Sequence, residues 1–162
     1  MKGVSGLIVR GADGVNWVVG WLLAVLMAVM TVLISWQVFA RYVMGNSLSF
    51  SEEVARFAMV WLTMLGAAYA YRQGSLIAVE LLSTAGGPRF RKAMQLAIAI
   101  ASCLFAWVLL REGLSITERV ASQTAPSTRV SMSWLYAAMP AGALLILVNA
   151  VAIVADGVGK ED

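Results

Sequence analysis

The side chains that could carry chemistry are concentrated at the end of the first apolar stretch of the chain. The polar and charged residues of interest within residues 41–56 are Arg41, Asn46, Ser49, Ser51, Glu52, Glu53 and Arg56. We call them the 41–56 cluster. Its carboxylates and guanidinium groups could bind a charged partner, and Glu52 and Arg56 could pair across one helical turn. Helix capping and anchoring at a membrane surface use the same residue types, so both interpretations remain open.

The remaining composition leaves few routes to catalysis or cofactor binding. The chain has no histidine and one cysteine, Cys103, which lies inside an apolar stretch. Without histidine, bis-histidine haem, most zinc sites and histidine-activated nucleophiles are excluded. A serine–lysine enzyme would need a lysine within an apolar stretch, and none is present. We therefore expect no catalytic or substrate-binding residue, no metal site and no cofactor.

The amino-acid composition predicts that the segments on either side of the 41–56 cluster lie in a membrane. Of the 162 residues, 60% are hydrophobic and 13% are charged, against about 45–50% and about 25% in soluble domains. A chain this short cannot bury so much apolar surface in its own core, so lipid must solvate much of it. The net charge of +3 comes mostly from basic residues at the ends of apolar stretches, where they anchor spans rather than bind nucleic acid.

Stretches without charge give the number of spans. They cover residues 14–40, 57–71, 93–110 and 130–155, and a bilayer core needs about 20 helical residues. The second stretch suffices if a helix begins at Ser51, with Ser51 as its capping residue and Glu52 and Glu53 in its first turn. We predict an all-α integral membrane protein. It forms a single membrane domain over residues 1–162, with four transmembrane helices at about 15–40, 51–72, 91–111 and 130–155.

The segments between the spans differ in character. Residues 75–85 carry aliphatic side chains around one acid and precede Gly86-Gly87-Pro88, which stops helices. We predict that they form a short interfacial amphipathic segment along the inner membrane surface. Residues 111–129 are polar and link the third and fourth spans. Pro140 should interrupt the fourth span because it has no backbone N–H, and it could serve packing or act as a hinge.

The orientation follows from the run Arg89-Phe90-Arg91-Lys92, which directly precedes the third span. Basic residues next to a span are enriched on the cytoplasmic side. We therefore expect both termini in the cytoplasm and the 41–56 cluster outside.

Two features bear on what the spans do. No ionisable residue lies in the middle of an uncharged stretch, although proton relays and ion paths normally need such groups. Small residues also recur at four-residue spacing, such as Ala138 and Gly142 in the fourth span, and they allow helices to approach closely. These stripes could pack the four spans together or dock onto another membrane protein.

Several blocks of the sequence resemble one known family. The first block runs over residues 37–43 and 46–57, and the similarity continues through 66–70, Gly74 and 77–82. It ends with Pro126, Trp134, Tyr136, Pro140 and Gly142. These residues resemble the small membrane subunit, of DctQ type, of tripartite ATP-independent periplasmic (TRAP) transporters. Leu76 and Glu80 depart from the family, which often has histidine and aspartate there.

The resemblance implies a non-catalytic scaffold subunit in the bacterial inner membrane. Its partners would be a large multi-span permease subunit, which holds the substrate and sodium sites, and a periplasmic binding protein, which delivers an organic acid. Residues for the partner interface or for structure would be Arg41, Asn46, Ser49, Glu52, Glu53, Arg56 and Pro140. The residues alone leave an alternative, a self-sufficient small homo-oligomeric transporter or channel, against which the lack of ionisable groups within the spans argues.

Overall fold

The chain folds into helices. The computed structural model describes residues 2–45, 49–85 and 88–159, of which residues 2–5, 49, 75–85, 88–89, 91–92, 95 and 156–159 are described by their backbone alone. Its helices are α1 (Lys2–Val43), α2 (Ser49–Ala85), α3 (Pro88–Arg119), α4 (Ser133–Tyr136) and α5 (Ala138–Gly159). Four stretches of these ranges are long and apolar enough to cross a membrane: Gly6–Val43, Phe50–Gly74, Leu96–Arg119 and Ser133–Ala155. The predicted all-α fold with four membrane-spanning helices is confirmed.

Glycine and proline set the ends of the long helices. After α1 ends at Val43, the N–H of Met44 still donates to the carbonyl of Ala40 at 3.2 Å. Gly45 then takes a φ of 66°, the left-handed conformation with which helices commonly terminate. α3 begins at Pro88, a position where the missing N–H of proline breaks no helical hydrogen bond. These residues thus mark the end of α1 and the start of α3.

α1, α2 and α3 each extend beyond the limits that the sequence predicts, and α1 begins at Lys2 rather than at about residue 15. α2 begins at Ser49 rather than Ser51, so Ser51 is not the capping residue; it lies in the first turn and is 2% exposed. α3 continues to Arg119 through residues predicted as a polar link, because charged side chains leave the lipid without breaking a helix. Residues 75–85 continue α2 without interruption, and their placement along the membrane surface remains a prediction.

Pro140 divides the fourth span as predicted. The break between α4 and α5 falls at Ala137, since Pro140 has no N–H to donate to the carbonyl of Tyr136. Hydrogen bonds continue on both sides of the break. The N–H of Ala137 donates to Ser133 at 2.8 Å, and that of Ala141 donates to Ala137 at 3.2 Å.

The helices form an open arrangement around α5. This helix packs against α1, α2 and α3, whereas α1 and α3 do not touch each other in the described parts of the chain. The fraction of buried residues in the most apolar stretch differs from span to span. It is 56% in the span formed by α4 and α5, 17% in α3 and 0% in α1. α1, α2 and α5 thus form a three-helix group to which α3 is attached, and both flanks present wide apolar faces.

Small residues permit the close contacts of α5. A Cβ atom at Gly142 would lie 3.0 Å from the carbonyl oxygen of Met64 in α2. One at Gly113 of α3 would lie 3.0 Å from Cδ of Pro140. Ala138 is fully buried, whereas Ala97 and Ala101 of α3 are exposed. The small residues Ala138 and Gly142 of the fourth span therefore pack this bundle, whereas the small residues Ala97 and Ala101 of the third span face outward.

Candidate functional site

Glu53 connects two parts of the chain at the end of the bundle where α2 begins, which we call the outer end. It lies just after the first turn of α2, and its Oε2 atom accepts hydrogen bonds from the backbone N–H groups of Ser127 and Thr128, both at 2.9 Å. Hydrogen bonds to a carboxylate are about twice as strong as neutral ones. Glu53 therefore fastens the loop between α3 and α4 onto α2.

The segment that Glu53 holds is a small hairpin, residues 124–131. Thr124 and Ser131 form an isolated antiparallel bridge, and the N–H of Ala125 donates to the carbonyl of Val130 at 2.9 Å. Ala125 is 1% exposed, so the base of the hairpin is packed into the bundle. At its tip Arg129 has a φ of 56°, which is uncommon for a residue other than glycine.

Two further hydrogen bonds connect α4 to α2 and α3. The indole N–H of Trp61 in α2 donates to the carbonyl of Trp134 at 2.9 Å. The hydroxyl of Ser133 donates to the carbonyl of Thr117 in α3 at 2.9 Å. Together with Glu53, these bonds tie the segment after α3 to both α2 and α3.

The other described members of the 41–56 cluster do not share the contact made by Glu53. Glu52 and Arg56 face solvent and lie 3.7 Å apart, with side chains 62% and 70% exposed; such pairs contribute about 0–1 kcal/mol. Arg41 is exposed near the end of α1. Asn46 and the side chain of Ser49 lie outside the described residues. Pro140, the remaining predicted residue, packs against Gly113 of α3.

A second polar group, which the sequence analysis does not name as a site, lies at the opposite, inner end. The side chain of Asn16 in α1 donates to Oδ1 of Asn149 in α5 at 2.6 Å, and Nδ2 of Asn149 donates to the carbonyl of Ala68 in α2 at 2.8 Å. Asn149 is 0% exposed and Asn16 is 5% exposed. One asparagine pair thus connects three helices.

An ion pair between α1 and α2 completes this inner cluster, which consists of Asp13, Asn16, Arg72 and Asn149. Arg72 donates from Nη2 to Oδ1 of Asp13 at 2.9 Å, and the side chain of Arg72 is 6% exposed, against 58% for that of Asp13. The sequence did contain a signal for this pair. Asp13 and Arg72 end uncharged stretches on the same side of the predicted membrane and carry opposite charges.

The polar contacts suit binding and bracing rather than reaction chemistry. The buried polar residues within the described ranges are Asn16, Ser51, Arg72 and Asn149, and none of these has a carboxylate. Among the same residues, no group of three or more histidine, cysteine, aspartate or glutamate side chains could hold a metal ion. The outer end therefore offers a surface shaped by Glu53 and the hairpin.

Comparisons with known proteins point in one direction. Residues 30–159 match the family model described as "Tripartite ATP-independent periplasmic transporters, DctQ component". The chain is 23% identical over 122 residues to the sialic acid TRAP transporter small permease protein SiaQ of Vibrio cholerae, which covers 75% of this chain and 70% of that protein. It is 32% identical over 57 residues, 35% of each chain, to a putative TRAP transporter small permease protein of Haemophilus influenzae. The matched range includes the 41–56 cluster and the hairpin.

Proposed function

Since this chain belongs to the DctQ component family of tripartite ATP-independent periplasmic (TRAP) transporters, we propose that it is the non-catalytic scaffold subunit of such a transporter. The family is a transporter component, so the chain is a multi-pass membrane subunit and not an enzyme. In this proposal it pairs with a large permease subunit and helps to dock a periplasmic binding protein. The family match, which extends from the outer half of α1 to the end of α5, carries the proposal.

The exposure of α1 and α3 supports the scaffold role. None of the residues in the most apolar stretch of α1 is buried, and α3 buries only a narrow stripe against α5. Helix association within a membrane depends on packing rather than on a hydrophobic drive, so such flanks can adjoin lipid on one side and a second protein on another. In this proposal, the second protein is the large permease subunit of the same transporter.

The outer end supports the docking role. Glu53 and the hairpin form a shaped surface there, and the Glu52–Arg56 pair near the start of α2 and Arg41 near the end of α1 add exposed charges. Exposed charges of this kind contribute association rate and partner specificity more than affinity. We propose that this end faces the periplasm, where a soluble binding protein can reach it.

The proposed orientation places both termini in the cytoplasm of a bacterium, with the spans in the inner membrane. Asn16 near the start of α1 contacts Asn149 near the end of α5, so the two terminal helices begin and end on the same side. The basic residues at 89–92 favour the cytoplasm for that side. A C-terminal tag should survive protease added from the periplasmic side, and its cleavage would contradict this orientation.

The substrate class is proposed from a relative. The name of the Vibrio cholerae protein assigns sialic acid, a carboxylic acid, to its transporter. We propose sodium-coupled uptake of an organic acid for the transporter that contains this chain. Recognition of the substrate and of sodium would lie in the other subunits, because no ionisable residue lies in the middle of an uncharged stretch of this chain.

Co-purification tests the proposal directly. A tagged version of the chain, extracted from native membranes in mild detergent, should bring down a large multi-span permease. A tag on an unrelated four-span protein from the same membranes serves as the control. Recovery of this chain without any permease, under conditions in which the permease itself remains folded, would contradict the scaffold role.

A further inference from the structure

We propose that Arg129, at the tip of the hairpin, contacts a carboxylate on the periplasmic binding protein. This inference rests on the proposed docking function, and it assigns one residue and one charge to the docking surface. The argument has three parts: the backbone of Arg129, the contacts that hold the hairpin, and the exposure of the guanidinium group.

The backbone of Arg129 adopts a conformation that arginine disfavours. The described residues with clearly positive φ are Gly45, at 66°, and Arg129, at 56°. Glycine takes this conformation without strain and asparagine tolerates it, whereas a long side chain makes it unfavourable. Strained residues persist where surrounding contacts enforce them, and they are common at binding sites. An arginine where glycine would be unstrained therefore indicates a use for its side chain.

The contacts that enforce this conformation do not involve the guanidinium group. The N–H of Arg129 donates to the carbonyl of Ala125 at 3.0 Å. The two preceding N–H groups, of Ser127 and Thr128, donate to the carboxylate of Glu53. The tip is thus fixed before any partner arrives, which lowers the entropy lost on binding.

The guanidinium group itself remains available. Arg129 is exposed, and the ion pairs within the described residues join Arg56 to Glu52 and Arg72 to Asp13. Arg129 therefore has no carboxylate partner in this part of the chain, in contrast to Arg56. A planar guanidinium on a fixed backbone matches a carboxylate through two parallel hydrogen bonds, which is the chemistry of an acidic patch on a soluble protein.

The test uses the complete complex of this chain with its permease in nanodiscs and the soluble binding protein as the probe. Arg129→Asn removes the charge and keeps the backbone conformation accessible, and Arg129→Lys keeps the charge. Arg119→Gln, which removes an exposed charge at the end of α3, is the matched control. We expect Arg129→Asn to bind about two- to fivefold more weakly, as for loss of one exposed ion pair, with a smaller salt dependence and an unchanged melting temperature.

The remaining variants decide between outcomes. Arg129→Lys should bind between the wild type and Arg129→Asn, and Arg119→Gln should lose less than Arg129→Asn. Equal binding by Arg129→Asn and wild type, or equal losses in Arg129→Asn and Arg119→Gln, would overturn the role of Arg129 while docking stands. Faster hydrogen exchange in the hairpin of Arg129→Asn would show a structural role and also overturn it. A wild-type complex that fails to bind the probe would overturn the docking function and this inference together.

Discussion

The two ends of the bundle use polar residues in opposite ways. At the inner end, side chains bond between helices, and all but Asp13 are buried: Asn16 bonds to Asn149 at 2.6 Å, and Arg72 bonds to Asp13 at 2.9 Å. At the outer end, side chains bond to backbone groups of the segment after α3, as Glu53 does with Ser127 and Thr128. The inner contacts therefore fix how the helices pack, and the outer contacts fix the shape of a surface.

This difference separates stability from partner binding. A buried polar group that loses its partner costs about 1–3 kcal/mol, whereas exposed charges contribute little to folding and more to association. Changes at the inner end and in the packing of α5 should mainly lower stability, and changes at the outer end should mainly affect assembly and uptake. The following substitutions test that division.

The largest functional effect is expected from reversing two charges at the outer end. Glu52→Lys together with Glu53→Lys removes the acceptor for two hairpin N–H groups and replaces both acids with bases. Transport of the substrate, measured as uptake by cells or vesicles, should fall by about tenfold, equivalent to about 1.4 kcal/mol, because the hairpin loses the carboxylate that fixes its shape. Membrane insertion should be unchanged. Normal uptake by the double variant would mean that Glu52 and Glu53 serve only to stabilise the start of the helix.

The largest effect on stability is expected at Gly142, between the two ends. A methyl group there would meet the backbone of Met64, with 3.0 Å to its carbonyl oxygen, and overpacking typically costs about 1–3 kcal/mol. Gly142→Ala should therefore lower the melting temperature of the purified chain in detergent. Gly66→Ala is the control, because its methyl group would lie 3.9 Å from the nearest atom, Cδ2 of Leu23. Equal melting temperatures for the two variants would refute this account of α5 packing.

A smaller loss is expected at the inner cluster. Asn149→Leu removes the bonds to Asn16 and to the carbonyl of Ala68 and should lower the free energy of unfolding by about 1–2 kcal/mol. Thr63→Val is a suitable comparison, since the hydroxyl of Thr63 bonds only to Met59 one turn earlier on an exposed face. If both variants unfold like the wild type, the inner cluster does not hold the helices together.

The smallest change in stability should follow Glu53→Gln. The neutral amide still accepts from Ser127 and Thr128 but more weakly, so the free energy of unfolding should drop by about 1 kcal/mol or less. Hydrogen exchange in the hairpin should become faster. Glu52→Gln, one residue away and 62% exposed, should leave that exchange unchanged. Identical hydrogen exchange in the hairpins of the two variants would show that Glu53 does not hold the hairpin.

The fold was predictable because lipid imposes a simple length requirement. Charge-free stretches of sufficient length reveal four spans whatever their packing. The ends of the helices were less predictable, since charges mark where the chain leaves lipid and not where the helix stops. This is why α3 continues to Arg119 past the predicted end at residue 111, and why α2 begins before Ser51.

The site was predictable only in part. The sequence singled out Glu53 through its local setting, but its partners lie 74 and 75 residues away, and no local pattern reports such a contact. Asn16 and Asn149 are 133 residues apart, and each alone resembles any polar residue in a span. The Asp13–Arg72 pair could have been predicted from the sequence, because the two residues carry opposite charges and end adjacent spans on the same side.

The central claim is that this chain braces a transporter and does not itself carry solute. Its most direct test is reconstitution of the purified chain alone in liposomes with an imposed sodium gradient. The account predicts no organic acid uptake until the large permease and the binding protein are added. Uptake by liposomes containing this chain alone would contradict it.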